Sequence, residues 1–148
     1  MKPKYLYHGT SRKIRGKYLI PFKASDKSSK ANSLKAVYAT ERKDIALGMA
    51  LSSAKYTKSM GNYAEKPYAS AFVRGDPTKH LKQVYLCKLS SKTFEQKPKG
   101  SHQWVSLEPI KVLSIKTFKT KDLNQYWRKA SDKEKKYYYR MKAKANKS

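Results

Sequence analysis

Tyr5-Leu6-Tyr7-His8-Gly9-Thr10 is the stretch on which the fold turns. From Lys4 to His8 the chain alternates Tyr5 and Tyr7 against Leu6 and His8. That is the period of two of a half-buried strand, and Gly9 reads as the turn that ends it. A basic connector leads to Tyr18-Leu19-Ile20-Pro21, a second extended segment whose Pro marks a strand end or a sheet edge. The Lys, Ser, Ala and Asn of residues 23 to 35 read as a mobile loop. Ala36-Val37-Tyr38-Ala39 follows as another strand, stopped by Thr40.

Thr40 suits a helix N-cap, and Glu41 and Asp44 stand in the first turns, where the helix dipole favours negative charge. Ile45 and Met49, with Ala46, Ala50 and Ala54, recur four apart and predict an amphipathic helix over 41–55. Residues 56 to 67 read as a surface loop, Ala69 to Val73 as a strand, and Gly75-Asp76-Pro77 as a turn. Val84 to Leu89 and Ile110 to Phe118 are strong strands. The stretch between them is irregular apart from the short Trp104-Val105-Ser106-Leu107 strand. From Lys121 the pattern is polar and helical, with a capping box from Ser131 to Glu134. The mixed order predicts an α+β fold with a mostly antiparallel sheet, and no internal repeat is present.

With 148 residues and 39% hydrophobic composition, the chain fits one core. No apolar run approaches the ~20 residues of a membrane span, and no apolar segment follows Met1-Lys2-Pro3-Lys4, so no secretory leader is expected. The single cysteine, Cys87, lies in an apolar stretch and reads as an inert core thiol in a reducing, cytoplasmic setting. His8, His80 and His102 show no ligand spacing with the scattered acids, so no metal is expected. Thirty-five Lys and Arg against ten Asp and Glu give a formal charge of +25. Such a field draws polyanions, although the Lys-rich composition runs through the whole chain and matches no recognised nucleic-acid motif. From Lys116 to Ser148, twelve cations and three acids surround Tyr137-Tyr138-Tyr139. Aromatics interleaved with cations suit nucleic acid, and they equally suit a solvated helix docked through its Tyr side chains.

Tyr7-His8-Gly9-Thr10, then Leu19-Ile20-Pro21, then Val37-Tyr38-Ala39-Thr40 before an Ala-rich helix form an ordered set. In this order the chain resembles the His-Tyr-Glu branch of the ADP-ribosyltransferase superfamily, and most of all the rifampin ADP-ribosyltransferases. Val84-Tyr85-Leu86, Phe94-Glu95 and Glu108-Pro109-Ile110-Lys111-Val112 echo the same group, so the likeness runs from about residue 5 to 118. It implies an ADP-ribosyltransferase-like domain over 1–120 with a split sheet, a packed helix, and a basic helical tail over 121–148.

The resemblance further implies an NAD-dependent transferase that cleaves the nicotinamide–ribose bond. His8 would bond a ribose hydroxyl of the adenosine half. Gly9 would offer its backbone to the nicotinamide carboxamide, and Tyr38 would stack on the nicotinamide ring. Thr10 and Arg12 follow in the same segment, with Arg12 near enough in sequence to help hold phosphate. The family's acid lies late in the chain. Asp26, Glu41 and Asp44 come too early and Asp122, Asp132 and Glu134 fall in the tail, which leaves Glu65, Asp76, Glu95 and Glu108. Glu95 and Glu108 stand as equal candidates. His102 and Gln103 lie where such enzymes recognise targets, and the acceptor would be DNA, RNA or a nucleic-acid-bound protein. The competing reading is a non-catalytic nucleic-acid-binding protein that keeps the fold.

Overall fold

Cys87 and Leu86 are neighbours in sequence, and both are buried, on opposite faces of one strand. That strand, β7 (Gln83–Ser90), is the spine of the molecule. Cys87 and Leu89 point into one hydrophobic core, while Val84 and Leu86 point into another. A strand flanked by two cores must sit centrally, and β7 does. It pairs antiparallel with β1 (Tyr5–Thr10) on one side and with β10 (Ile110–Lys119) on the other. The two-residue β2 (Tyr18–Leu19) extends the sheet beyond β10, giving the order β1-β7-β10-β2. The computed structural model describes residues 2–23, 35–52, 59–63, 70–73 and 75–147.

A second four-stranded sheet is built from β3 (Phe22–Lys23), β4 (Lys35–Ala39), β8 (Glu95–Gln96) and β9 (Trp104–Ser106), in the order β3-β4-β9-β8. Val37, Ala39, Phe94 and Trp104 from this side meet Leu6, Cys87, Leu89 and Ile110 from the first sheet, so the first core lies between the two. Their edges touch at one rung: the Tyr7 amide donates to the Thr40 carbonyl at 2.7 Å, and the Thr40 amide returns a bond to Tyr7 at 2.9 Å. A third sheet has the order β11-β6-β5. It pairs β5 (Ser59–Tyr63) with β6 (Ser70–Val73) antiparallel, and β11 (Trp127–Lys129) with β6 in parallel. The architecture is α+β and mostly antiparallel. Among the described residues no helix is long and apolar enough to cross a membrane.

The first helix, α1 (Lys43–Ser52), covers the second core with Ala46, Leu47, Ala50 and Leu51, while Ile45 and Met49 stay half-buried. It starts later than the sequence suggests. Thr40 ends β4 instead of capping the helix, its hydroxyl accepting the Arg42 amide at 3.2 Å, and Asp44 forks onto Arg42. Gly9 is likewise not a turn but an interior residue of β1. A Cβ built there would stand 1.8 Å from the Ala46 carbonyl oxygen, so glycine is what lets the helix backbone lie against the strand.

Other expectations also shift. Part of the 56–67 loop is β5, and the irregular stretch after β7 contains β8. The loop expected over 23–35 falls mostly outside the described residues; its ends are in β3 and β4. The tail is not helical throughout, because 3₁₀ turns at Thr120–Asp122 and Asn124–Tyr126 lead into β11. Only then does α2 (Asp132–Lys147) begin. It opens on the expected capping box, with the Ser131 amide donating to Glu134 at 2.9 Å and the Glu134 amide donating to the Ser131 hydroxyl at 3.2 Å.

Gly9→Ala is expected to lower stability by about 1–3 kcal/mol, because helix or strand must move to admit the methyl group. Chemical denaturation of the two chains measures it. An unchanged midpoint would show that the close approach at Ala46 is not a constraint.

Candidate functional site where β4 passes from β1 to β3

Along one edge, β4 changes partner. Thr40 pairs with Tyr7 of β1, and Ala36 pairs with Phe22 of β3. By strand alternation Tyr38, midway between, aims its own backbone groups toward the same edge. The His8 side chain fills this gap: its Nδ1 lies 2.7 Å from the Tyr38 carbonyl oxygen in a buried bond. A carbonyl accepts, so Nδ1 carries the proton. In the neutral ring Nε2 is then left with a lone pair. Burial favours that neutral form and sets the imidazole pKa below its ordinary 6.5, outweighing the opposing pull of the Tyr38 carbonyl.

Gly9 belongs to the same opening. Tyr7 spends its amide and carbonyl on Thr40, and Gly9, two residues on, directs its amide and carbonyl to the same side, past the point where β1 and β4 part. No described residue of β4 pairs with it. Thr10, the last residue of β1, accepts the Arg12 amide at 3.1 Å through its hydroxyl, and Arg12 itself is exposed.

Tyr38 packs with Ala36 and Val105 on the face of the second sheet turned away from the first core. Register identifies what else shares that face. Phe22 is opposite Ala36, Val105 is opposite Tyr38, and Glu95 is opposite Val105. Glu95 therefore stands level with Tyr38, two strands away, about 10 Å between backbones. Its side chain is 77% exposed, with Lys97 at 3.9 Å, in an open recess lined also by Gln96 and Lys99. Glu108 is elsewhere. It follows β9 in a turn where the Ser106 hydroxyl bonds both its amide and its carbonyl, at the end of the sheet nearer Lys35 than Tyr38. The structure thus brings together His8, Gly9, Tyr38 and, across the sheet face, Glu95, and leaves Glu108 outside the group.

Phe22, which the sequence did not single out, also borders this opening. Its ring centroid is 6.2 Å from that of His8 and 5.9 Å from that of Tyr38, and the side chain is 46% exposed while His8 and Tyr38 retain only 8% and 4%. Nothing marked it except its place directly after Pro21. Gln103 closes the β8–β9 connection, and His102 ties it to the segment after β4. His102 Nδ1 is 2.6 Å from Glu41, the Trp104 indole donates to the same carboxylate at 3.2 Å, and Gln103 donates to the Lys97 carbonyl at 2.9 Å. Burial opposes the charge on Glu41, but these bonds from His102 and Trp104 keep its carboxyl below the ordinary value. Cys87 is fully buried, and desolvation pushes its thiol up to about 11.

In comparisons with known proteins, no family model, curated protein or solved structure matches this chain.

Because the folded His8 resists protonation while the unfolded ring does not, its contribution to stability is full above pH 6.5 and is lost as pH falls through that value toward the lowered folded pKa. Glu41, and Asp76 held down by its bond from Thr78, lose their contributions only in the more acidic carboxylate range. The melting temperature is expected to drop between pH 7 and pH 5, and His8→Gln to flatten that drop. Parallel pH profiles for the two chains would rule out a buried neutral imidazole.

Proposed function

We propose that the protein is an NAD-dependent ADP-ribosyltransferase whose site opens where β4 leaves β1. The observation that carries this reading is the convergence on one break in the sheet. A neutral imidazole with a lone pair on Nε2, an outward-facing glycine backbone and a tyrosine meet there, and an exposed carboxylate stands on the tyrosine's face. Two antiparallel four-stranded sheets joined by one rung, with a helix on the outer side of the first, also fit the split-sheet fold that the sequence resembles.

Each group has a chemical task. NAD is an N-glycoside with a cationic leaving base. When the bond to nicotinamide breaks, its electrons go to the ring nitrogen and positive charge develops on the ribose. His8 Nε2 accepts from a ribose hydroxyl. The Gly9 amide and carbonyl match the carboxamide of nicotinamide, which offers an acceptor oxygen and a donor NH2 group. Tyr38 stacks on the departing ring. Glu95 bonds the ribose 2′-hydroxyl, stabilises the developing charge and orients the incoming nucleophile. Arg12, just past β1, is available for phosphate. Phe22 must turn aside for a dinucleotide to reach the two buried rings, and its exposure leaves it room to do so.

A second reading, a non-catalytic nucleic-acid-binding protein with this fold, draws on that same burial of His8 and Tyr38. Nicotinamide release from NAD, measured with the pure chain and with cell extract as acceptor source, separates the two. Glu95 is solvent-exposed, so Glu95→Gln is expected to leave the fold intact while lowering turnover about 100-fold or more. Glu108→Gln is expected to leave turnover unchanged. No release by the wild-type chain, or equal effects of the two substitutions, would defeat the assignment.

A further inference from the structure

Of the sixteen residues of α2, seven are Lys or Arg and two are acids, Asp132 and Glu134, both in the first turn. Glu134, Tyr138 and Met141, at helical spacing, are half-buried on the side by which α2 packs against β5. Glu134 is further held by a forked bond from Arg128, so one of the two acids is already neutralised at the helix start. Lys133, Lys136, Tyr137, Arg140 and Lys144 recur at i, i+3/i+4 on an exposed stripe. None of these four cations takes part in an ion pair among the described residues. The stripe presents a cation at each turn, about 5.4 Å apart, and in its middle the Tyr137 ring is 61% exposed.

We infer that this stripe is a binding surface for single-stranded nucleic acid. Its cations follow the phosphates, and Tyr137 offers a flat face to an unpaired base. The ring selects this partner among polyanions. A membrane surface calls for Leu, Phe or Trp along the apolar side, and here that side is used up against β5. A duplex keeps its bases stacked on one another, whereas a single strand has them free to stack on an aromatic side chain. The surface stands apart from the NAD reading, so either can fail alone.

The test is fluorescence anisotropy of a labelled oligo-dT or oligo-U with the full chain, titrated over a range of salt. Lys133→Ala/Arg140→Ala/Lys144→Ala is compared with Lys111→Ala/Lys116→Ala/Lys119→Ala, which removes the same charge from the exposed positions of β10. Each phosphate neutralised on a single strand adds ~0.7 to the salt slope, so the first triple variant is expected to lower that slope by about 2. The second is expected to change it little. Tyr137→Ala is expected to weaken binding at least about fivefold without altering the melting temperature. Glu95→Gln is expected to bind as wild type. Equal weakening by the two triple variants would mean that only net charge attracts the oligonucleotide. An unaffected Tyr137→Ala chain, or tighter binding to duplex or to anionic vesicles than to the single strand, would overturn the inference.

Discussion

One imidazole holds open the edge of a sheet. Between the rung that ties Thr40 to Tyr7 and the pairing of Ala36 with Phe22, the Tyr38 carbonyl has no strand to bond, and His8 supplies the missing donor. A buried carbonyl left without a partner costs ~1–3 kcal/mol, so the side chain is needed for the fold before any chemistry is considered. The bond also settles the ring's character. With the proton held on Nδ1 and charge disfavoured by burial, Nε2 can act only as an acceptor. The structural and the proposed functional uses of His8 therefore do not compete, since each takes a different nitrogen.

The position of that opening depends on Gly9 as much as on His8. Alternation along β1 sends Leu6 and His8 toward the second sheet, and Tyr7 and Gly9 toward α1. Because Gly9 lacks a side chain, the backbone of α1 rests directly on the strand, and its neighbours Ala46 and Ala50 are small for the same reason. The helix follows β4 after only three residues, so its seat on β1 also fixes where β4 ends and where the Tyr7–Thr40 rung forms. The sheet break, the helix and the edge-facing glycine backbone are thus three results of one local geometry.

Much of this was legible in the chain, and the parts that were not have identifiable causes. Strands β1, β4, β7 and β10 carry enough alternating or continuous apolar residues to be read directly. Glu95-Gln96 and Trp127-Arg128-Lys129 do not, because segments of two or three residues with no apolar pattern become strands only through the neighbours they meet. Gly9 followed by Thr10 has the signature of a turn; what makes it a packing glycine is Ala46, thirty-seven positions away. His8 and Tyr38 stood out through their ordered motif. That Glu95 shares a face with Tyr38 depends on the β8–β9–β4 register, in which a shift of one residue would turn Glu95 to the opposite face. Phe22 was unmarked because its meaning lies in two rings that the chain brings to it from either side.

The charge has an internal logic of its own. Four of the described acids are held by near neighbours. Asp44 lies on Arg42, Glu134 on Arg128, Glu41 under His102 and Trp104, and Asp76 on the Thr78 amide and hydroxyl. Elsewhere lysines settle over aromatic rings, Lys4 and Lys88 on Tyr5, Lys43 on Tyr7 and Lys116 on Phe118, where a ring face gives roughly 0.5–1 kcal/mol at an exposed site. These contacts occupy the ring faces concerned. Tyr137 differs, because its ring is exposed among cations that none of the described acids neutralises. A uniform excess of lysine explains attraction to any polyanion, but it does not by itself explain an exposed aromatic ring set at the centre of a helical stripe whose cations pair with no described acid.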